Sequence, residues 1–218
     1  MHIEKLLIHI PSYLLALPLL IGLIRWKGHS HEQRRLNILL ICWAILQIGQ
    51  HLGMLLFRNN LPLFHLALPI EFPLIVAIYR PGFKKEAWSP LLLPITLVFI
   101  CFCILSAIFW QGLDQLPTTT RTVESFLLSL LALAYFFTLL RDLRITHLLR
   151  SPMFWLSTGT LIYYAGNVLI FFFANFILQG AVRIQTWAIH STLLVLLYIT
   201  YSISLLCKGN PSISSKAS

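Results

Sequence analysis

The chain has 218 residues, of which 58% are hydrophobic and 11% charged, and its mean hydropathy is +0.81. A soluble domain carries about 25% charged residues, so this balance excludes an ordinary soluble domain and points to an integral membrane protein. The formal net charge of +9 is spread over short connections between apolar runs, so it reads as a topology signal and not as a nucleic-acid surface.

A spanning helix needs about 20 apolar residues. Seven such runs occur, at about 6–24, 36–57, 61–80, 88–110, 122–141, 153–178 and 184–207. The predicted fold is an all-α integral membrane protein, a seven-transmembrane-helix bundle over residues 1–207 with a disordered polar tail at 208–218. Arg25, Lys27, Arg34, Arg35, Arg80, Lys84, Lys85, Arg141, Arg144, Arg150, Lys208 and Lys216 fall on one side of this topology. Only Lys5, Arg58, Arg121 and Arg183 fall on the other. Basic residues mark the cytoplasmic side, which sets the N-terminus outside and the C-terminus in the cytoplasm of an inner or plasma membrane. The lipid bilayer is thus the first partner, with anionic headgroups against the basic connections.

The first run is expected to be a retained helix and not a cleaved leader, because Glu4 stands beside Lys5 and no small-residue cleavage site follows. Its polar residues His9, Ser12 and Tyr13 share a face, as do Trp43, Gln47, Gln50 and His51 in the second. The third, LPLFHLALPIEFPLIVAIYR, carries Glu71 at its centre, about 15 Å from the helix start. An isolated acid there is a functional hypothesis. No basic residue is expected at its depth, so a neutral carboxyl is expected. Pro69 and Pro73 remove two backbone donors and predict a kink or hinge around it. The fourth run offers only Thr96, Ser106 and two cysteines, on different faces, and is placed at the lipid-facing edge. The four cysteines, Cys42, Cys101, Cys103 and Cys207, read as packing residues.

The fifth run gathers Glu124, Tyr135, Thr138 and Asp142, with Glu124 at the outer rim complementing the helix dipole. The sixth aligns Ser157, Thr160, Tyr164, Asn167 and Asn175 within roughly 80° of arc. Gly159 and Gly166 lie opposite, allowing close approach of a neighbour. The seventh aligns Thr186, His190, Tyr201 and Ser204. The plainer reading of each stripe is helix-to-helix hydrogen bonding. Together they face one volume, which suggests a cavity or a proton or water path. Glu71, Gln47, Asn167 and Tyr164 form the expected ligand- or proton-binding cluster at mid-depth.

His9, His51, His65 and His190 fall at one outer depth on four helices, a set that can hold zinc if the helices converge. The paired spacings HxxxH and HExxH are absent, as are nucleotide-binding and serine-hydrolase motifs. No lysine lies inside a helix, which excludes a retinal Schiff base.

The topology is similar to that of rhodopsins and receptor-type proteins at the level of architecture only. More narrowly, His65, Pro69, Glu71 and Phe72, followed by Pro152, Phe154, Trp155, Gly159, Leu161, Tyr163 and Gly166, resemble two segments of a group of short, uncharacterised bacterial seven-helix proteins. That resemblance implies a fold and no activity. The function expected from the residues is a sensor or receptor-like membrane protein. It would bind a small molecule, lipid or ion in the outer half of the bundle and signal to a cytoplasmic or membrane partner. The alternatives are a proton-coupled transporter using Glu71 and a zinc-dependent membrane hydrolase using the four histidines.

Overall fold

The computed structural model describes residue 11 and residues 13–84, 86–141, 148–173 and 182–207. His9, Ser12, Asp142 and Asn175 lie outside this set. The described residues form seven α-helices and no strand: α1 (Ala16–Ile24), α2 (His31–Phe57), α3 (Leu61–Tyr79), α4 (Leu92–Phe109), α5 (Thr118–Arg141), α6 (Pro152–Phe172) and α7 (Val182–Leu206). Six segments, built on α2 to α7 and in two cases including an adjoining 3-10 turn, are long and apolar enough to cross a membrane. The chain is a multi-pass membrane protein.

Helix ends follow local chemistry. α2 begins five residues before the expected start because Ser30 and Gln33 form a capping box, which satisfies two orphan donors reciprocally. α5 begins at Thr118, directly after Pro117, and not at 122. This shift brings Arg121 onto a helical turn. α6 opens on Pro152, whose missing N–H is no loss in a first turn. α3 continues as one helix through Pro69 and Pro73 and runs on into a 3-10 turn at Arg80–Phe83.

Packing runs most extensively between α5 and α6 and between α6 and α7, then between α2 and α3, and α1 leans on α7 and α2. α3 contacts both α4 and α5. α4 lies outside the ring, against α3 and α5 only among the larger contacts, as its apolar sequence suggested. Of its polar residues, Thr96, Cys103 and Ser106 share one face, and Cys101 is exposed on another. Leu92, Thr96, Phe99, Cys103 and Ser106 are all buried and recur at alternating steps of four and three, which is one helix face. Ser106 there accepts from Thr120 of α5 at 3.0 Å. The opposite face presents Leu93, Leu97, Val98, Ile104 and Ile108 outward. The expectation that Gly159 and Gly166 admit a neighbour holds: a Cβ at Gly159 would run into Thr200, and one at Gly166 into Leu193, both on α7.

One end of the bundle is basic and fastened by donors aimed at helix-terminal carbonyls, the groups a helix end leaves open. Gln33 Nε2 donates to Ser204 O at 2.7 Å and to Cys207 O at 3.0 Å. Arg25 Nη1 donates to Leu206 O at 2.8 Å, and Ser204 Oγ to Pro152 O at 2.8 Å. Arg35 reaches Ala77 O. Buried His29 bridges Asn37 and Leu205 O, at 2.9 and 3.1 Å. Arg141, the last residue of α5, pairs with Glu86 across the same end.

Candidate functional site

Glu71 sits on the inner face of α3 and is buried. Its Oε2 accepts from Arg121 Nη1 of α5 at 3.0 Å, and its Oε1 accepts from the Tyr164 hydroxyl of α6. The same Arg121 nitrogen donates to Glu124 Oε2 at 2.7 Å. Two carboxylates therefore share one guanidinium. The expectation that no basic residue reaches this depth is wrong. Arg121 starts near a helix end, but the early start of α5 turns it inward, and its long apolar stem carries the charge into the bundle. Glu124 is not at the rim either. It is fully buried, three residues from Arg121 and so on the same helix face. Its Oε1 has no hydrogen-bond partner among the described residues.

The sequence carried a signal for Arg121. Pro117, Glu124, Leu128, Leu131, Tyr135 and Thr138 are buried on α5 and its lead-in, spaced by alternating threes and fours apart from one longer gap. Arg121 falls inside that gap, three before Glu124, and completes the stripe.

The α6 stripe forms a ladder. Ser157, Thr160, Tyr164 and Asn167 are each fully buried, and successive residues meet α3 and α7 in turn. The Tyr79 hydroxyl of α3 faces Ser157 and Thr160. Tyr201 of α7 and Thr160 are 3.0 Å apart. Thr160 donates its own proton to Leu156 O at 2.8 Å, so Tyr201 is the donor between them. Tyr164 donates to Glu71 on α3. Asn167 Oδ1 lies 2.9 Å from His190 Nδ1 on α7. Amide oxygen only accepts, so Nδ1 of the imidazole is the donor in this contact.

Of the expected cluster, Glu71 and Tyr164 are in contact and Asn167 lies one α6 turn beyond Tyr164. Gln47 is half-buried on α2. The histidines part company. His51 is exposed on α2. His65 is buried and bonds the Gln115 carbonyl at 2.9 Å. His190 holds Asn167. His9 lies outside the described residues, and among those described no group of three His, Cys, Asp or Glu can hold a metal.

Next to the cluster is a cleft of about 50 Å³ lined by Phe64, Pro117, Arg121, Tyr163, Phe171, Trp187 and His190, among others. The rings of Tyr163, Phe171 and Trp187 stand 5.7 to 5.9 Å from the His190 ring. Arg121 is thus both a wall of the cleft and the clamp on the two carboxylates. A group that accepts hydrogen bonds in the cleft competes with Glu71 and Glu124 for the same guanidinium. No family model, curated protein or solved structure matches the chain.

Proposed function

We propose that the chain is a sensor or receptor-like protein of an inner or plasma membrane that spans the bilayer seven times, with the N-terminus outside and the basic end in the cytoplasm. The distribution of Lys and Arg supports this orientation. The ligand is a small polar molecule or ion that enters the cleft between α5, α6 and α7. The cleft volume of about 50 Å³ is close to that of one or two waters, each of which takes about 30 Å³ of liquid. Anything larger has to displace the side chains that line the cleft.

One observation carries this reading: Arg121 lines the cleft and also ties α3 to α5 through Glu71 and Glu124. A ligand that engages the guanidinium weakens that tie. α3 then transmits the change to the basic end, where Arg35 holds its Ala77 carbonyl. A cytoplasmic or membrane partner reads the new arrangement. A ligand shifts such an equilibrium only by its differential affinity for the two arrangements.

The test is native mass spectrometry of the full chain, extracted from its own membrane in mild detergent. A small-molecule adduct on the wild type, lost in Arg121→Gln and Trp187→Ala and kept in Thr192→Ala on the outer face of α7, supports the proposal. An adduct indifferent to Arg121, or none at all, refutes it.

A further inference from the structure

We propose that the hydroxyl ladder of α6 conducts protons between Glu71 and the basic end of the bundle. Five buried hydroxyls lie along this path: Tyr164, Thr160 and Ser157 on α6, Tyr201 on α7 and Tyr79 on α3. Ser157 to Tyr164 covers seven residues, about 10 Å of helix. Ser157 is itself five residues from the start of α6 at Pro152.

The chemistry of the set favours transfer over simple fastening. Each hydroxyl can accept a proton on a lone pair and release its own, which a backbone carbonyl or an amide cannot do. The Tyr79 and Ser157 hydroxyls are buried without a hydrogen-bond partner among the described residues, although they face each other across α3 and α6. An unsatisfied buried hydroxyl loses about 1–3 kcal/mol of hydration, and such sites hold ordered water where there is room for it. Transfer between Tyr164, Tyr201 and Tyr79 requires water to bridge these hydroxyls, which is part of the proposal.

At the upper end Glu71 and Glu124 share one guanidinium, so the cluster has one carboxylate more than it has cations, and a proton is the charge it lacks. A proton reaching Glu71 from the cleft forms a carboxyl O–H. The Tyr164 hydroxyl, which donates to Glu71 at rest, turns away; the carboxyl O–H then breaks as the Tyr164 oxygen accepts its proton, and the former Tyr164 O–H passes to the next oxygen. Each hop breaks one O–H bond and makes another, with no electron transferred. The titratable groups facing the path are Glu71 and Tyr79 from α3, Arg121 and Glu124 from α5, Tyr163 and Tyr164 from α6, and His190, Tyr198 and Tyr201 from α7, with Cys103 of α4 beside Glu124.

This proposal is independent of any ligand. The full chain is reconstituted in liposomes containing a pH-reporting dye, and a potassium gradient with valinomycin drives proton entry with no ligand present. The wild type is expected to acidify the lumen faster than protein-free vesicles. Glu71→Gln and Tyr201→Phe are expected to lose the excess, and Thr192→Ala to keep it. Tyr201→Phe removes one hydroxyl and leaves the ring stacked on Trp43, at 6.1 Å between centroids, so it reports on the path even where Glu71→Gln fails to fold. A wild-type rate equal to that of protein-free vesicles overturns the proposal, as does wild-type conduction by either variant.

Discussion

Arg121→Met leaves two carboxylates stranded in the bundle. The Arg121 side chain is 15% exposed, that of Glu71 6% and that of Glu124 0%. The value of a solvent-exposed pair, about 0–1 kcal/mol, therefore does not apply. Removing one partner of a buried ion pair costs about 3–5 kcal/mol, because the remaining charge is left without compensation. Here one substitution uncovers two charges, so the upper part of that range is expected. Glu71→Gln behaves differently. It leaves the Arg121–Glu124 pair intact and exchanges the two charge-assisted contacts to Arg121 and Tyr164 for neutral ones, a loss of about 1–3 kcal/mol. Replacing the whole cluster, as Arg121→Met with Glu71→Gln and Glu124→Gln, is expected to recover most of the stability, since buried amides cost far less to desolvate than unpaired carboxylates. Thermal unfolding in detergent micelles measures the series through the accessibility of the buried Cys103 thiol, in a background where Cys42, Cys101 and Cys207 are replaced by serine. If Arg121→Met melts no lower than Glu71→Gln, or the triple variant melts below Arg121→Met, the buried pair is not what holds α3 to α5.

Four further outcomes are expected, each read by the same unfolding assay. Tyr164→Phe deletes a hydroxyl donating to a buried carboxylate and costs about 1.5–3 kcal/mol. Gly159→Ala forces a methyl against Thr200 and costs about 1–3 kcal/mol by overpacking, with less effect at Gly166, where the obstacle is the mobile end of Leu193. Gln33→Ala removes half of the capping box and both bonds to the end of α7, and costs about 1–3 kcal/mol. His29 lies outside the candidate spans, just before the first of them, and burial lowers its affinity for a proton below the ordinary pKa of 6.5. The unfolded chain binds that proton more tightly, so stability falls as pH drops below 6.5 toward the lowered folded value. His29→Gln is expected to flatten this acid limb, and an unchanged limb would show that His29 does not set it.

The helices and their inner faces were legible because lipid and core impose opposite chemistry on the two sides of a helix. Spacing alone placed Ser157, Thr160, Tyr164 and Asn167 on one inner line of α6, and Gly159 and Gly166 on the line that admits α7. Pairings between helices were not legible. Glu71 and Arg121 are 50 residues apart in sequence, and nothing in either local pattern names the other. The error over Arg121 came from assigning a long side chain to the depth of its own backbone. The error over Glu124 followed from it, since an acid at a helix start has an ordinary explanation until the cation beside it is seen to point inward. The histidines share a depth on paper, yet their azimuths differ. His51 faces out and His65 caps a carbonyl, so equal depth did not bring them together.

Two sets of buried polar groups, one at the basic end of the bundle and one along α6, differ in what their partners can do. At the basic end Gln33, Arg25 and Asn37 are donors directed at carbonyl oxygens. A carbonyl has no proton to pass on, so these contacts can only fasten helices. Along α6 the partners are hydroxyls, a carboxylate and an imidazole, all able to exchange roles as donor and acceptor. Fastening alone does not call for groups of that kind, because carbonyl-directed amides already do it at the other end of the same bundle. Substitutions at the basic end should therefore lower the melting temperature and leave proton entry per folded molecule unchanged. Tyr201→Phe should do the reverse. A variant set in which conduction tracks melting temperature at both ends would mean that the α6 hydroxyls are fasteners too.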